Sequence, residues 1–288
     1  MKKLFLLALS ILLLTGCTAA VYEGPTETAW VLTEMTTTHF NAVTGEPQTI
    51  HWTHSYDSFG NEVRTHFYSD GELTEEYKST YDDRGNCIRE VKWNHFWVFS
   101  YPASRTDYTY DEQNRLLTTT YRNGFGLKTG ADTYTYDDEA HTVTWEGTYD
   151  TRTQYLNENG DLIRVVTYSR PAGMEMETRY EYDELGRNTR IAEYRDGELA
   201  SYAERSYDEQ DRLLNVVWYD ADGTILMSTG YAYEENTVTS RGHQGDVTIQ
   251  VLRPDGQVET QEYYGPDGNL LSRTENIYTQ IQVPAKEE

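Results

Sequence analysis

The chain has 288 residues and a formal net charge of −24, with 48 acidic against 24 basic residues. That balance repels nucleic-acid phosphates and anionic headgroups and excludes a phosphate-backbone binder. Apolar residues make up only 37%, against roughly 45–50% in ordinary globular domains. Yet 25 tyrosines and six tryptophans are too many for a disordered chain, so the composition calls for a thin β-rich body with much exposed sheet.

Lys2 and Lys3 open the chain, Leu4 to Leu14 is apolar, and Leu14-Thr15-Gly16-Cys17 follows. The run is shorter than the roughly 20 residues that cross a bilayer, and its layout is that of a secretory signal over residues 1–16. Its end resembles the bacterial lipobox, which implies cleavage before Cys17 and lipidation of Cys17. Several acyl chains anchor stably where one does not. The expected location is the bacterial cell envelope, on the outer face of the cytoplasmic membrane or in an outer membrane where the cell has one. Residues 17–28 are polar with a Gly24-Pro25 break and form a tether. With Cys17 acylated, Cys87 has no intramolecular partner. It opens a strand after Gly85-Asn86, where a small apolar residue fits, and no histidine adjoins it in sequence to activate a thiolate.

From Tyr56 a short phrase recurs: Tyr56-Asp57-Ser58-Phe59-Gly60-Asn61, Tyr81-Asp82-Asp83-Arg84-Gly85-Asn86 and Tyr182-Asp183-Glu184-Leu185-Gly186-Arg187. Looser forms begin at Tyr110, Tyr136, Tyr207, Tyr233 and Tyr264. A fixed period means one small unit repeated. Between these turns lie Asp70-Gly71, Asp196-Gly197 and Asp222-Gly223, which are hairpin signals because glycine takes positive φ without steric cost. Turns about every 12 residues leave strands of roughly 7–8 residues. Val63, Thr65 and Phe67 then share one face, and Glu62, Arg64, His66 and Tyr68 the other. Tyrosines at Tyr108/Tyr110, Tyr134/Tyr136, Tyr180/Tyr182 and Tyr231/Tyr233 likewise pair on one face. A longer period relates Tyr110–Leu117 to Tyr207–Leu214, so residues 53–155 and 156–251 read as two copies of one module, with a partial third at 252–278.

The phrase Tyr-Asp-x-x-Gly-(Asn/Arg) resembles the YD-repeat, or RHS, family, over nearly all of Tyr56 to Leu271. The resemblance implies β-hairpins joined side by side into a long curling sheet, and a surface role in binding carbohydrate or in cell contact. Large members wind into a shell around a toxin. The number of units here points instead to an elongated, twisted antiparallel sheet over residues 29–280, open or partly curled rather than a closed shell, with 281–288 as a tail.

No chemistry stands out. His51 and His54, at i and i+3 on a strand, point to opposite faces and do not share a metal, which needs three or four converging ligands. Asp220-Ala221-Asp222-Gly223 lacks the further oxygens of a calcium loop. No nucleophile elbow or phosphate loop appears, so neither a catalytic residue nor a cofactor is expected. The two modules disagree at one place. Where the second has Tyr194-Arg195-Asp196-Gly197, the first runs Trp93-Asn94-His95-Phe96-Trp97-Val98-Phe99-Ser100-Tyr101-Pro102, four residues longer. Insertions in repeat proteins become loops on one face. Trp93, Phe96, Trp97, Phe99 and Tyr101 are therefore the candidate ligand-binding residues, able to stack on a glycan or anchor a protein. The expectation is a non-catalytic envelope lipoprotein binding carbohydrate or a surface protein; the alternative is a structural protein or one that protects the cell from a related toxin.

Overall fold

The computed structural model describes residues 26–41 and 44–285. Residues 1–16, read as a secretory signal, and Cys17 lie outside the described residues. Every described element is a strand. The first ten are β1 (Thr26–Phe40), β2 (Pro47–Tyr56), β3 (Glu62–Ser69), β4 (Glu72–Tyr81), β5 (Cys87–Phe96), β6 (Phe99–Tyr110), β7 (Leu116–Asn123), β8 (Lys128–Asp137), β9 (Thr142–Glu146) and β10 (Asp150–Leu156). The next five are β11 (Leu162–Ser169), β12 (Met174–Tyr182), β13 (Asn188–Arg195), β14 (Glu198–Tyr207) and β15 (Leu213–Asp220). The last five are β16 (Ile225–Glu234), β17 (Thr237–Gly242), β18 (Val247–Leu252), β19 (Val258–Tyr264) and β20 (Leu270–Pro284).

Each strand pairs antiparallel with the next, and β20 returns to β1 over thirteen positions, from Thr26↔Pro284 to His39↔Ser272. The sheet is therefore a closed 20-stranded barrel, which corrects the expectation of an open or partly curled sheet. Two features account for the closure. Register shifts recur where the strands meet the Tyr-Asp turns, at Ser55/Tyr56, Thr80/Tyr81, Thr109/Tyr110, Glu181/Tyr182 and Ser206/Tyr207. Such bulges increase the local twist and bend the sheet. The second feature is β1, which carries no Tyr-Asp phrase yet supplies the partner for β20. It begins at Thr26, inside the stretch read as tether, and β20 runs to Pro284, inside the stretch read as tail.

Twenty strands about 4.8 Å apart, tilted 35–45°, give a wall roughly 40 Å across, wider than the 16–18-stranded barrels that already hold an aqueous channel. Among the described residues the buried apolar ones are only Val165, Ala192 and Ala203, and none is a large side chain wholly removed from solvent. The barrel is hollow, and stability resides in the wall.

The chirality of the backbone says which face lines the hollow. Barrel strands coil right-handed, rising to the right when seen from outside. Glu34, Thr53, His66, Glu76, Trp93 and Pro102 are successive backbone partners. Glu34 lies six positions from the end of β1 at Phe40, and Pro102 three from Phe99. That track climbs toward the Asp70-Gly71 end, so each next strand lies to the left. Asp70 donates its N–H to the Thr49 carbonyl, back on the preceding strand. An L-residue on a rising strand with its N–H to the right points its side chain at the viewer. Hence Arg64, His66 and Tyr68 face outward, and Thr65 and Phe67 face the hollow, with Trp52 against Phe67 at 4.4 Å. Carried around by the register, the inner face holds Tyr108, Tyr134, Tyr180, Tyr231, Trp145 and Trp218.

The barrel has two unlike rims. The Tyr-Asp turns from Tyr56 to Tyr233 lie at one end, with Thr26 and Pro284; this is the proximal rim, and the looser turn after Tyr264 lies at the other end. The Asp-Gly hairpins and the β5–β6 turn lie at the distal rim.

Candidate functional site

The proximal rim shows what the repeated phrase does. In Asp57–Asn61 the Asp57 carboxylate accepts the N–H groups of Phe59 and Asn61, each at 2.9 Å, and Gly60 sits at φ 83°. The same pattern holds at Asp82, Asp111, Asp183 and Asp208. Where the phrase ends in arginine, the guanidinium returns to the aspartate, as Arg187 Nε does to Asp183 at 2.7 Å. It also lies over the tyrosine of the next unit: Arg115 over Tyr136, Arg187 over Tyr207 and Arg212 over Tyr233. Asp183 is held below its usual range first by the Arg187 backbone N–H and then, against some desolvation, by the Arg187 side chain. The tyrosines complete the rim. Their hydroxyls donate to the backbone of the preceding strand: Tyr56 to Leu32, Tyr81 to Glu62, Tyr110 to Cys87, Tyr136 to Leu116, Tyr182 to Leu162, Tyr207 to Asn188 and Tyr233 to Leu213, at 2.7–3.0 Å. Burial, then Glu62, pushes the Tyr56 hydroxyl up to about 12. These residues satisfy one another, and the phrase is scaffold.

At the distal rim the predicted aromatic segment departs from its neighbours. It is not a loop: β5 and β6 continue to Phe96 and Phe99, joined by a two-residue turn at Trp97-Val98. The four additional residues lengthen a hairpin. Phe96, Trp97, Val98 and Phe99 are 66–89% exposed and Tyr101 is 52% exposed. Phe96 and Trp97 stack at 5.9 Å with planes 16° apart. Trp93 does not join them. It lies in the outer wall opposite Pro102 and Glu76, with Lys78 Nζ 5.2 Å from its ring. So the structure brings Phe96, Trp97, Phe99 and Tyr101 together and leaves Trp93 apart.

The next two distal turns extend the patch, and the sequence reading missed them. The turn after β7 carries Phe125, 94% exposed, and Leu127; the turn after β9 carries Tyr149. A Cβ on Gly124 would overlap the Pro102 carbonyl oxygen, so only glycine lets this turn dock on the base of the β5–β6 hairpin. Trp97-Val98, Asn123–Leu127 and Gly147–Tyr149 together contain no charged residue, whereas the distal turns at Asp196, Asp220–Asp222, Asp246 and Asp267 do. The signal available in sequence was the lack of aspartate in three successive turns.

Other candidates dissolve into the wall. Cys87 opens β5 half-buried; burial raises its thiol, which donates to the Arg89 carbonyl at 3.5 Å. His51 faces outward near Thr36 and Tyr68, and His54 faces inward near Glu62. Among the described residues no three metal-ligating side chains cluster. Asp220 binds the N–H groups of Asp222 and Thr224, the same turn chemistry as the rim. The outer wall is laced with ion pairs, Arg64, His66 and Lys78 around Glu76, and Arg164 and Arg179 around Glu177. The inner wall carries Glu75 with Lys92, and Asp132. A membrane barrel needs an apolar outer band about 25 Å tall; among the described residues the outer face here carries the ion pairs around Glu76 and Glu177.

The fold class is thus a closed antiparallel β-barrel with charged walls. No family model matches the chain, and no curated protein matches it. Among solved structures it is similar to a porin-like protein from Bacteroides uniformis ATCC 8492, with 12% identity, covering 86% of this chain and 96% of that one at a TM-score of 0.42. It is also similar to TcdB2-TccC3 without its hypervariable C-terminal region, with 11% identity, covering 89% of this chain and 20% of that one at a TM-score of 0.33. A porin-like protein from Bacteroides vulgatus ATCC 8482 gives 13% identity, covering 65% and 96% of the two chains at a TM-score of 0.32. At these scores no function transfers, and the reading below rests on the wall and its rims.

Proposed function

We propose that this chain is a non-catalytic lipoprotein of the bacterial cell envelope, a closed YD-repeat barrel that binds a protein partner at its distal aromatic hairpin. The observation that supports this is the exposure of Phe96, Trp97, Val98 and Phe99 at a tip, on the rim opposite the one where Thr26 enters. A lipid on Cys17 tethers the proximal rim and turns the aromatic tip away from the membrane. The tip is convex and carries no charged group, which suits insertion into a partner's pocket as an aromatic anchor. A glycan wants a concave surface with converging polar groups; the hollow of ≈510 Å³ lined by Glu75, Asn94, His95, Phe96, Phe99 and Tyr101 lies at the base of the hairpin, and the Trp97-Val98 turn projects beyond it.

The test is photo-crosslinking on intact cells, with a photoreactive phenylalanine at Trp97 and, as control, at Phe59 on the proximal rim. A discrete adduct from position 97 that Phe96→Ala and Phe99→Ala abolish is the expected result. Identical adducts from both positions, or none from position 97, sink the reading. Lipid attachment is checked by radioactive palmitate, whose incorporation Cys17→Ser removes.

A further inference from the structure

A second aromatic surface lies inside the barrel, and it has the opposite shape. Trp145 in the short strand β9 faces the hollow, opposite Tyr134 on one side and Arg152 on the other. Its ring occupies space that a side chain at Gly147 would fill: a Cβ there would stand 2.7 Å from Trp145 Cζ2 and 2.8 Å from Cη2. The missing side chain lets the indole lie along the wall, half-buried, with a face toward the hollow. Two hollows meet on it. One of ≈230 Å³ is bounded by Tyr134, Val143, Arg152 and Gln154, and one of ≈300 Å³ by Tyr121, Asp132 and Tyr149. Together they fall in the range of small-ligand sites, roughly 300–1,000 Å³.

The polar groups around the ring are held ready. The Tyr121 hydroxyl donates to Asp132 at 2.8 Å, which fixes that carboxylate. Burial, then Asp132, pushes the Tyr121 hydroxyl up to about 12, so this donor stays protonated at any physiological pH. Arg152 is exposed to the hollow and, among the described residues, lies in none of the wall's ion pairs, while Gln154 is half-buried beside it. Asp132 accepts, Arg152 donates, and Gln154 does both.

We propose that this inner-wall surface is a binding site for a neutral pyranose, with the sugar ring stacked on Trp145. The weakly positive C–H face of a pyranose complements the negative face of an indole. Its vicinal hydroxyls need the mixed donors and acceptors that Asp132, Arg152 and Gln154 supply. Neutral sugars are favoured because the chain's charge of −24 repels anionic ones. The second hollow leads to Tyr149 on the distal rim, so an oligosaccharide enters through that opening and places its next ring there. The site shares Tyr149 with the aromatic patch of the distal rim but none of the residues of the β5–β6 tip.

The experiment is titration calorimetry of the secreted Cys17→Ser protein against maltohexaose, cellohexaose, chitohexaose and laminarihexaose. At least one binds, Trp145→Ala abolishes binding, and Gly147→Ala weakens it at least tenfold by tilting the indole. Gly147 has no left-handed φ, so alanine fits the backbone; should Trp145→Ala fail to fold, Gly147→Ala and Gln154→Ala carry the test. Trp97→Ala leaves sugar binding unchanged while removing the crosslinked partner, which separates the two sites. No binding by any of the four sugars, or equal affinity in the wild type and Gly147→Ala, overturns the proposal.

Discussion

Closure of the barrel is tested at its seam. Thr37 on β1 and Thr274 on β20 are backbone partners, with hydroxyl oxygens 2.9 Å apart across 237 positions of chain. In a flat open sheet the same two residues would stand about 90 Å apart, nineteen spacings of about 4.8 Å. Replacing both by cysteine, with Cys87→Ser and in a soluble form beginning after Cys17, places the Cβ atoms within reach of a disulfide. The loop so closed is nearly the whole chain, and chain entropy sets an upper stabilisation of about 5 kcal/mol, of which native strain removes a part. Non-reducing electrophoresis should show a faster monomer band that dithiothreitol abolishes, and mass spectrometry the linked peptides. Unfolding should move to higher urea by a margin that also vanishes on reduction. Two free thiols that react with maleimide after prolonged mild oxidation, with no linked monomer, would refute the closed seam and the rim geometry built on it.

Two further outcomes follow from the wall. Tyr182→Phe leaves the Leu162 carbonyl without its 2.8 Å donor and should cost about 1 kcal/mol, or roughly 2–4 °C in Tm, whereas Tyr168→Phe, at an exposed outer position, should cost nothing measurable; equal shifts would remove the rim tyrosines from the account. Glu177 is held below its usual range first by Arg179, then, against desolvation, by Arg164. A depressed folded pKa contributes stability that is present above the unfolded value, about 4.3, and is lost as pH falls through the folded value. Glu177→Gln should therefore cost about 1 kcal/mol at pH 7, discounted for the half-exposed arginines, and almost nothing near pH 2, as read from urea midpoints at both pH values; a pH-independent cost would contradict it.

Much of the wall was legible because its signals are local. Asp57, Gly60 and Asn61 each do a job that the spacing announces: one caps two N–H groups, one turns left-handed, one returns to the carboxylate. The alternation of Arg64, Thr65, His66 and Phe67 gave their faces correctly, but not that of Glu62, which lies opposite the Ser55/Tyr56 bulge and reaches inward to His54 and Thr65. The disagreement between modules pointed to Phe96 and Trp97. Closure was not legible. It depends on the summed tilt and bulging of twenty strands, and on β1, whose Thr-rich sequence carries no turn phrase. A module of eight strands does not divide into twenty, so the longer period gave no hint of a ring. Trp93 was misjudged as part of a loop because two added pairs of residues extend a hairpin as readily as they make a loop. Nothing in sequence singled out Trp145, since its exposed face depends on Gly147 and on curvature that brings Tyr121, Asp132 and Gln154 around it.

The distal tip carries its own evidence of selection for something other than stability. Among the described residues the left-handed positions fall to glycine, aspartate, asparagine or histidine, as at Gly71, Asp70, Asp196 and Gly197, with two departures: Glu235 at φ 41° and, at the β5–β6 turn, the far bulkier Trp97 at φ 56°. A bulky side chain in that conformation costs on the order of 1 kcal/mol or more, and at 89% exposure the indole recovers little by burial beyond its stack on Phe96. Trp97→Gly should relieve the backbone and stabilise the barrel by about 0.5–1 kcal/mol, seen as a Tm rise of roughly 1–4 °C, while the adduct from a photoreactive group at Val98 disappears. A gain in stability coupled to loss of partner capture is what a site maintained for binding predicts. A fall in Tm would mean that the ring supports the hairpin, and the tip would then be structural.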